Sequence, residues 1–160
     1  MLGNLQICEK RLYLEVKDTI TLPNAFLLKE VREAIEMGKR VTIPVKGSSM
    51  KPFLNPGDRV VLKPFQLRDL ARGIIVLADL GDTIVLHRVV KYSEREIWLA
   101  GDANLVQHEL ISYSGVVAQV ISFYPKGKAL AVNSTKWRDI FGLFWYWARP
   151  MRRAFQKLRK

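Results

Sequence analysis

The feature that most constrains the fold of this chain is a series of short β-branched runs, most of them bounded by Gly, Asp or Pro turns. Short strands joined by close turns are typical of compact antiparallel β domains. The runs cover residues 41–45, 59–62, 74–77, 83–86, 87–90, 96–99 and 116–121. We therefore expect a mainly β fold, with a compact antiparallel β domain.

Helical periodicity flanks this β region on both sides. Apolar residues at helical spacing predict an N-terminal helix over residues 24–38, with Asn24 as its N-cap and Gly38 as its stop. The chain returns to helical character from about Ser134, with a break expected at Pro150. A weaker alternation over residues 11–22 predicts one more strand.

These patterns divide the chain into two parts. Residues 1–134 form the β domain with its N-terminal helix, and residues 135–160 form a basic, aromatic C-terminal helix. About half of the 160 residues are apolar, which excludes a disordered chain.

Charge and cysteine content limit the cell compartments and the chemistry that we expect for this protein. Six charged residues lie between positions 9 and 18, so the N-terminus has no apolar signal-peptide core. The longest apolar run, residues 140–148, is too short to span a bilayer. We expect a protein that is cytoplasmic or peripheral to a membrane. Cys8 is the only cysteine, so we expect no disulfide, no metal site and no cofactor.

Ser49 is a candidate nucleophile because it lies in a turn that begins with Gly47, directly after a β run. A serine hydroxyl attacks poorly until a positioned base removes its proton. A glycine turn helps by bringing backbone N–H groups close to a developing oxyanion. Taken alone, the same pair also fits a strand-ending turn with a solvated serine.

His87 is the candidate base, and it lies inside an apolar β run. A lone histidine in such a place is commonly a hydrogen-bonded structural residue. Neutral imidazole near pH 7 is also a natural general base.

Three ordered motifs within residues 45–104 resemble those of signal peptidase I and the related LexA-like autopeptidases. Gly47-Ser48-Ser49-Met50-Lys51-Pro52 with the following Gly57-Asp58 resembles the first box. His87-Arg88-Val89 resembles the second box of the histidine-type enzymes, and Gly101-Asp102-Ala103-Asn104 resembles the third.

The resemblance implies a serine endopeptidase that cleaves a leader or precursor peptide through an acyl-enzyme. Ser49 would be the nucleophile and His87 the general base, and the N–H of Ser49 would donate to the oxyanion. Ser48 is adjacent but off the motif. The fold implied is the β fold of the signal peptidase/LexA-like type.

The third catalytic residue departs from the pattern of the histidine-type enzymes. In those enzymes an aspartate follows the third box by about six residues, and here that position is His108. Asp102 is our first choice for the acid and Glu109 our second. Asp102 fits a structural role in a Gly-Asp turn equally well.

The tail, residues 136–160, combines seven aromatic side chains with eight basic residues and one acid. This composition predicts an anionic membrane surface as a partner. The alternative is a helix that packs its aromatic residues on the β domain and leaves its basic residues in solvent. The same aromatic residues would also suit stacking on the bases of a nucleic acid, but the motifs do not favour that partner.

Two classes of function remain open from sequence. The first is the serine endopeptidase, with a precursor peptide or protein as substrate. The second is a catalytically inactive relative that acts as a peptide- or membrane-binding module. A DNA-binding regulator is disfavoured, because only one clear helix precedes the β region.

Overall fold

A computed structural model describes residues 24–81, 83–128, 132–133 and 136–158. The strand expected within residues 11–22 lies outside the described residues. The N-terminal segment, which we expect not to be a signal peptide, also lies outside the described residues.

Three α-helices and eight strands form the described chain, with two short 3₁₀ turns at Leu67–Asp69 and Tyr113–Gly115. The helices are α1 Asn24–Glu36, α2 Lys136–Trp147 and α3 Arg149–Leu158. The strands are β1 Val41–Pro44, β2 Arg59–Pro64, β3 Ile75–Asp79, β4 Ile84–Tyr92, β5 Glu96–Ala100, β6 Glu109–Ser112, β7 Val116–Tyr124 and β8 Val132–Asn133.

All eight strands belong to one antiparallel sheet, in the order β1-β2-β7-β3-β4-β5-β6, with β8 beside β7. The expected mainly β class is confirmed. The runs 83–86 and 87–90, which looked separate, form one nine-residue strand, β4. His87, the candidate base, therefore lies on β4, an interior strand of the sheet.

Helix α1 ends as its sequence predicts. Gly38 has a φ of +74°, and its N–H and that of Lys39 donate to the carbonyls of Ile35 and Ala34. This is a Schellman ending, which favours glycine. Arg32 of α1 bonds Asp79 at 2.6 Å, and the Gly81 N–H and Arg32 together lower the pKa of that carboxyl.

Two apolar clusters hold the sheet together. The first packs Val31 and Ile35 of α1 on the inward residues of β1, β2, β3 and β7. The second lies among β3, β4, β5 and β6 and includes Val76, Val89 and Leu99. The sheet therefore carries packed residues on both sides, and its β4–β6 end is held rigidly.

The tail forms α2 and α3 with a short break at Ala148, just before the expected position. Pro150 lies in the first turn of α3, where its missing N–H leaves no intrahelical bond unmade. The Ala148 N–H donates to Phe144, and the Arg152 N–H donates to Ala148. The helical phase therefore continues across the break. No helix in the described part of the chain is long and apolar enough to cross a bilayer.

Candidate active site

Ser49 lies exposed in the loop that joins β1 to β2. Gly47 opens the turn with a φ of +75°, a region that side chains other than glycine rarely adopt. The next residue, Met50, is buried, and its carbonyl accepts from the N–H groups of Phe53 and Leu54. The buried Met50 thus fixes the loop from below and leaves the Ser49 hydroxyl at the surface.

Asp58 holds the far end of this loop. Its buried carboxylate accepts from the backbone N–H of Asn55 at 2.8 Å and of Lys126 at 2.9 Å. Two backbone donors satisfy a charge that would be costly to bury alone. The Gly57-Asp58 part of the first motif is therefore a structural clamp on the serine loop.

The third motif packs directly against Ser49. The Ala103 N–H donates to the Ser49 carbonyl at 2.8 Å. A Cβ added to Gly101 would lie 2.8 Å from that carbonyl oxygen, 3.1 Å from Ser49 Cβ and 3.0 Å from His87 Nε2. Glycine is required here because the Ser49 side chain and the imidazole nitrogen converge on the same point.

His87 is buried on β4 and bonded through its other ring nitrogen to Glu109. The distance from His87 Nδ1 to Glu109 Oε2 is 2.9 Å. An ionised carboxylate can only accept, so Nδ1 carries the proton in this pair. In the neutral ring the lone pair is then on Nε2, the nitrogen that approaches the Ser49 side chain beside Gly101.

Asp102, the first choice from sequence for the acid, is paired elsewhere. Its two carboxylate oxygens accept from Nε and Nη2 of Arg88, both at 2.8 Å, and both side chains are buried. Glu109, the second choice, is the carboxylate that bonds the imidazole. The buried Arg88 guanidinium takes Asp102 as its counter-charge.

Arg88 itself lies between the sheet, the serine loop and the tail. Its Nη1 donates to the Gly73 carbonyl at 2.5 Å, and its guanidinium lies 5.2 Å from the centre of the Phe53 ring. On α2, Asp139 is 3.7 Å from Nη1. A Cβ on Gly142 would lie 2.1 Å from Arg88 Cζ, so α2 can approach this closely only with glycine there.

His108 occupies the position at which an aspartate was expected, and it faces the tail. Its Nε2 lies 2.6 Å from Tyr146 Oη and 3.1 Å from Arg149 Nη1. Burial, with the charge of Arg149 next, lowers the pKa of His108. A neutral His108 accepts a hydrogen bond from Arg149.

The tail also holds the third-motif loop through its carbonyls. Arg149, which is buried, donates to Gly101 at 3.3 Å. The backbone carbonyl of Asp102 accepts from Trp145 Nε1 at 3.0 Å and from Arg152 Nη1 at 3.2 Å. The Arg153 guanidinium donates to the backbone carbonyl of Leu105. Sequence reasoning missed this contact, although the cluster of arginines in the tail was visible.

One further residue of the site was not assigned a role from sequence. Arg88 was part of a quoted motif but carried no role, and its position inside an apolar β run was the available signal. In the described part of the chain, no group of three or more His, Cys, Asp or Glu side chains is placed to hold a metal ion.

Comparison with known proteins gives one family match. A family model described as Peptidase S24-like matches residues 4–121, which include Ser49, His87 and Glu109. The comparison with curated proteins gives no match.

Proposed function

The chain belongs to the Peptidase S24-like family, and from that premise we propose that it is a serine endopeptidase with a Ser49–His87–Glu109 catalytic triad. One observation carries the proposal. The His87 ring bonds Glu109 through Nδ1, and its Nε2 converges with the Ser49 side chain on the space beside Gly101. A serine, a histidine and a carboxylate in this spatial order are what nucleophilic catalysis by serine requires.

The proposed reaction has two halves. In the first, Ser49 Oγ attacks the carbonyl carbon of the peptide bond while His87 Nε2 takes the hydroxyl proton. The C–N bond then breaks, and the proton passes from His87 to the departing amine. In the second half, water gives a proton to His87 and attacks the acyl carbon. The bond from that carbon to Ser49 Oγ then breaks, His87 returns the proton to Oγ, and the new carboxyl terminus leaves.

Glu109 and the serine loop stabilise the charges that develop. The Glu109 carboxylate orients the imidazole and balances the positive charge that it gains during attack. The N–H of Ser49 is the proposed oxyanion donor, since Gly47 and the buried Met50 fix the backbone on either side.

The alternative base in this clan of enzymes would be a lysine, and the geometry favours histidine. Lys63 Nζ is bonded to Asp69 at 2.5 Å. Lys91 Nζ lies over the Trp98 ring, 4.7 Å from its centre. Both lysines thus have other partners.

The substrate that we propose is a leader or precursor peptide with small side chains before the scissile bond. This rests on the resemblance of the three motifs to signal peptidase I.

The test compares the N-termini of proteins in cells that carry the native chain, Ser49→Ala or Ser48→Ala. We expect a set of N-termini that is present with the native chain and with Ser48→Ala and absent with Ser49→Ala. Ser48 is the matched control because it lies in the same exposed loop. His87→Ala should reduce cleavage by a factor on the order of 10³ or more.

Identical N-termini in native and Ser49→Ala cells, with equal amounts of each protein, would refute the enzyme. That result would favour the second candidate, a module of the same fold that binds peptides or membranes without cleaving them.

A further inference from the structure

The C-terminal helices α2 and α3 turn an apolar stripe away from the domain. We define the stripe as the residues Ile140, Phe141, Phe144, Trp147, Met151, Phe155 and Leu158, whose exposed fractions run from 55% to 82%. They recur every three or four positions, and the hydrogen bonds across Ala148 keep the two helices in phase. The stripe therefore forms one face, about 28 Å long at 1.5 Å per residue.

The orientation of these helices is the reverse of the usual one. A surface helix of a globular protein normally buries its apolar face and exposes its charged face. Here Arg149, Arg152 and Arg153 donate to backbone carbonyls of the third-motif loop. The arginines thus hold α3 to the domain, and Trp145 and Tyr146 of α2 contact it as well. The side chains of the stripe point outward.

Exposed apolar area of this extent marks a surface that is covered by a partner. Charge identifies which partner fits. Residues 136–160 hold eight basic residues and one acid, and the net charge of the chain is +11. A second copy of the chain would bring two strongly basic tails together, which Coulomb repulsion opposes.

We infer that α2 and α3 lie in the interface of an anionic lipid bilayer, with the stripe inserted among the acyl chains. Phe and Trp rings suit the boundary between headgroups and acyl chains, and basic residues attract anionic headgroups. The opposite side of the same helices contacts Gly101 and Asp102. The Ser49 loop is therefore held about one helix diameter, roughly 10 Å, from the lipid.

This inference is independent of the proposed enzyme, because it can be tested on the full chain that carries Ser49→Ala. The probe is a vesicle of phosphatidylcholine with one quarter phosphatidylglycerol, compared with pure phosphatidylcholine, in a co-sedimentation assay. We expect binding to the anionic vesicles that weakens as salt is raised, because salt screens the headgroup attraction.

The decisive variant replaces three residues of the stripe, Phe144→Ser, Trp147→Ser and Phe155→Ser. All three side chains are largely exposed, so the fold should be retained, which circular dichroism can verify. The matched control is Met37→Ser with Leu67→Ser, since both residues are 65% exposed but lie outside the stripe. We expect the stripe variant to lose about tenfold or more in partition coefficient and the control to bind as the parent does.

Three results would overturn the inference. They are equal binding to neutral and anionic vesicles, unchanged binding of the stripe variant, and no binding of the parent chain. Sedimentation velocity without lipid adds a further check. Self-association at micromolar concentration that the stripe variant abolishes would assign the face to a second copy instead.

Discussion

At the scale of single residues, two carboxylates near the proposed active site have different roles. Glu109 bonds the imidazole of His87, and Asp102 balances the buried guanidinium of Arg88. Removing the charge of Glu109 should therefore affect chemistry, whereas removing that of Asp102 should affect stability. The two roles can be separated by measuring both quantities on each variant.

We predict that Glu109→Gln reduces the cleavage rate of a precursor by a factor on the order of 10² to 10⁴, because the amide no longer fixes the reactive tautomer. Its free energy of unfolding should change little. Asp102→Asn removes the carboxylate that bonds Arg88 through both oxygens and leaves the more distant Asp139, 3.7 Å away, so it should lower the free energy of unfolding by about 3–5 kcal/mol. Denaturant unfolding and the cleavage rate test the pair, and the opposite split would contradict the assignment of the acid.

At the scale of elements, α2 lies close to β4 where Gly142 meets Arg88. Gly142 faces the Arg88 guanidinium, which cannot retreat because Asp102 and the Gly73 carbonyl hold it. The absence of a side chain at this position lets α2 lie over the buried ion pair. The helix and the third motif are thereby connected.

We predict that Gly142→Ala destabilises the chain and loosens the tail. Alanine alone would favour the helix by about 1 kcal/mol over glycine, so a loss of stability must come from the clash with Arg88. Limited proteolysis of the tail and thermal unfolding measure the effect. Phe141→Ala is the control, since the neighbouring side chain is exposed. A Gly142→Ala variant more stable than the parent would disprove the contact.

At the scale of the whole molecule, the tail and the β domain meet at His108. Burial and the adjacent Arg149 lower the pKa of His108, so the folded state favours the neutral ring. A lowered pKa means that the unfolded chain binds the proton more readily. The contribution to stability is complete above the usual histidine value of about 6.5 and is lost as pH falls through the lowered value.

We therefore predict that the contact between tail and domain weakens on acidification from pH 7.5 to 5.5. Thermal unfolding at the two pH values should show a drop that is smaller in His108→Asn, because asparagine can accept from Arg149 without titrating. A nuclear magnetic resonance titration should place the pKa of His108 below its usual range. Equal drops in the parent and the variant would assign the pH dependence to other groups.

Much of this protein is determined by local sequence. The short β-branched runs and their turns indicate the sheet, and Gly38 ends α1 as expected. Ser49 and His87 could be proposed as a pair because the motifs around them resemble those of signal peptidase I and the LexA-like autopeptidases. That Ser49 and His87 converge beside Gly101 is a property of the tertiary structure alone.

Tertiary structure alone decided which acid meets the imidazole. His108 and Glu109 are consecutive where β6 begins, and neighbouring residues of a strand point to opposite faces, so a shift of one position exchanges their surroundings. His108 faces the tail and Glu109 faces His87. The sequence likewise showed a basic, aromatic tail of helical character. Which face of α3 turns inward depended on the carbonyls of Gly101, Asp102 and Leu105, because these acceptors draw the arginines to the domain.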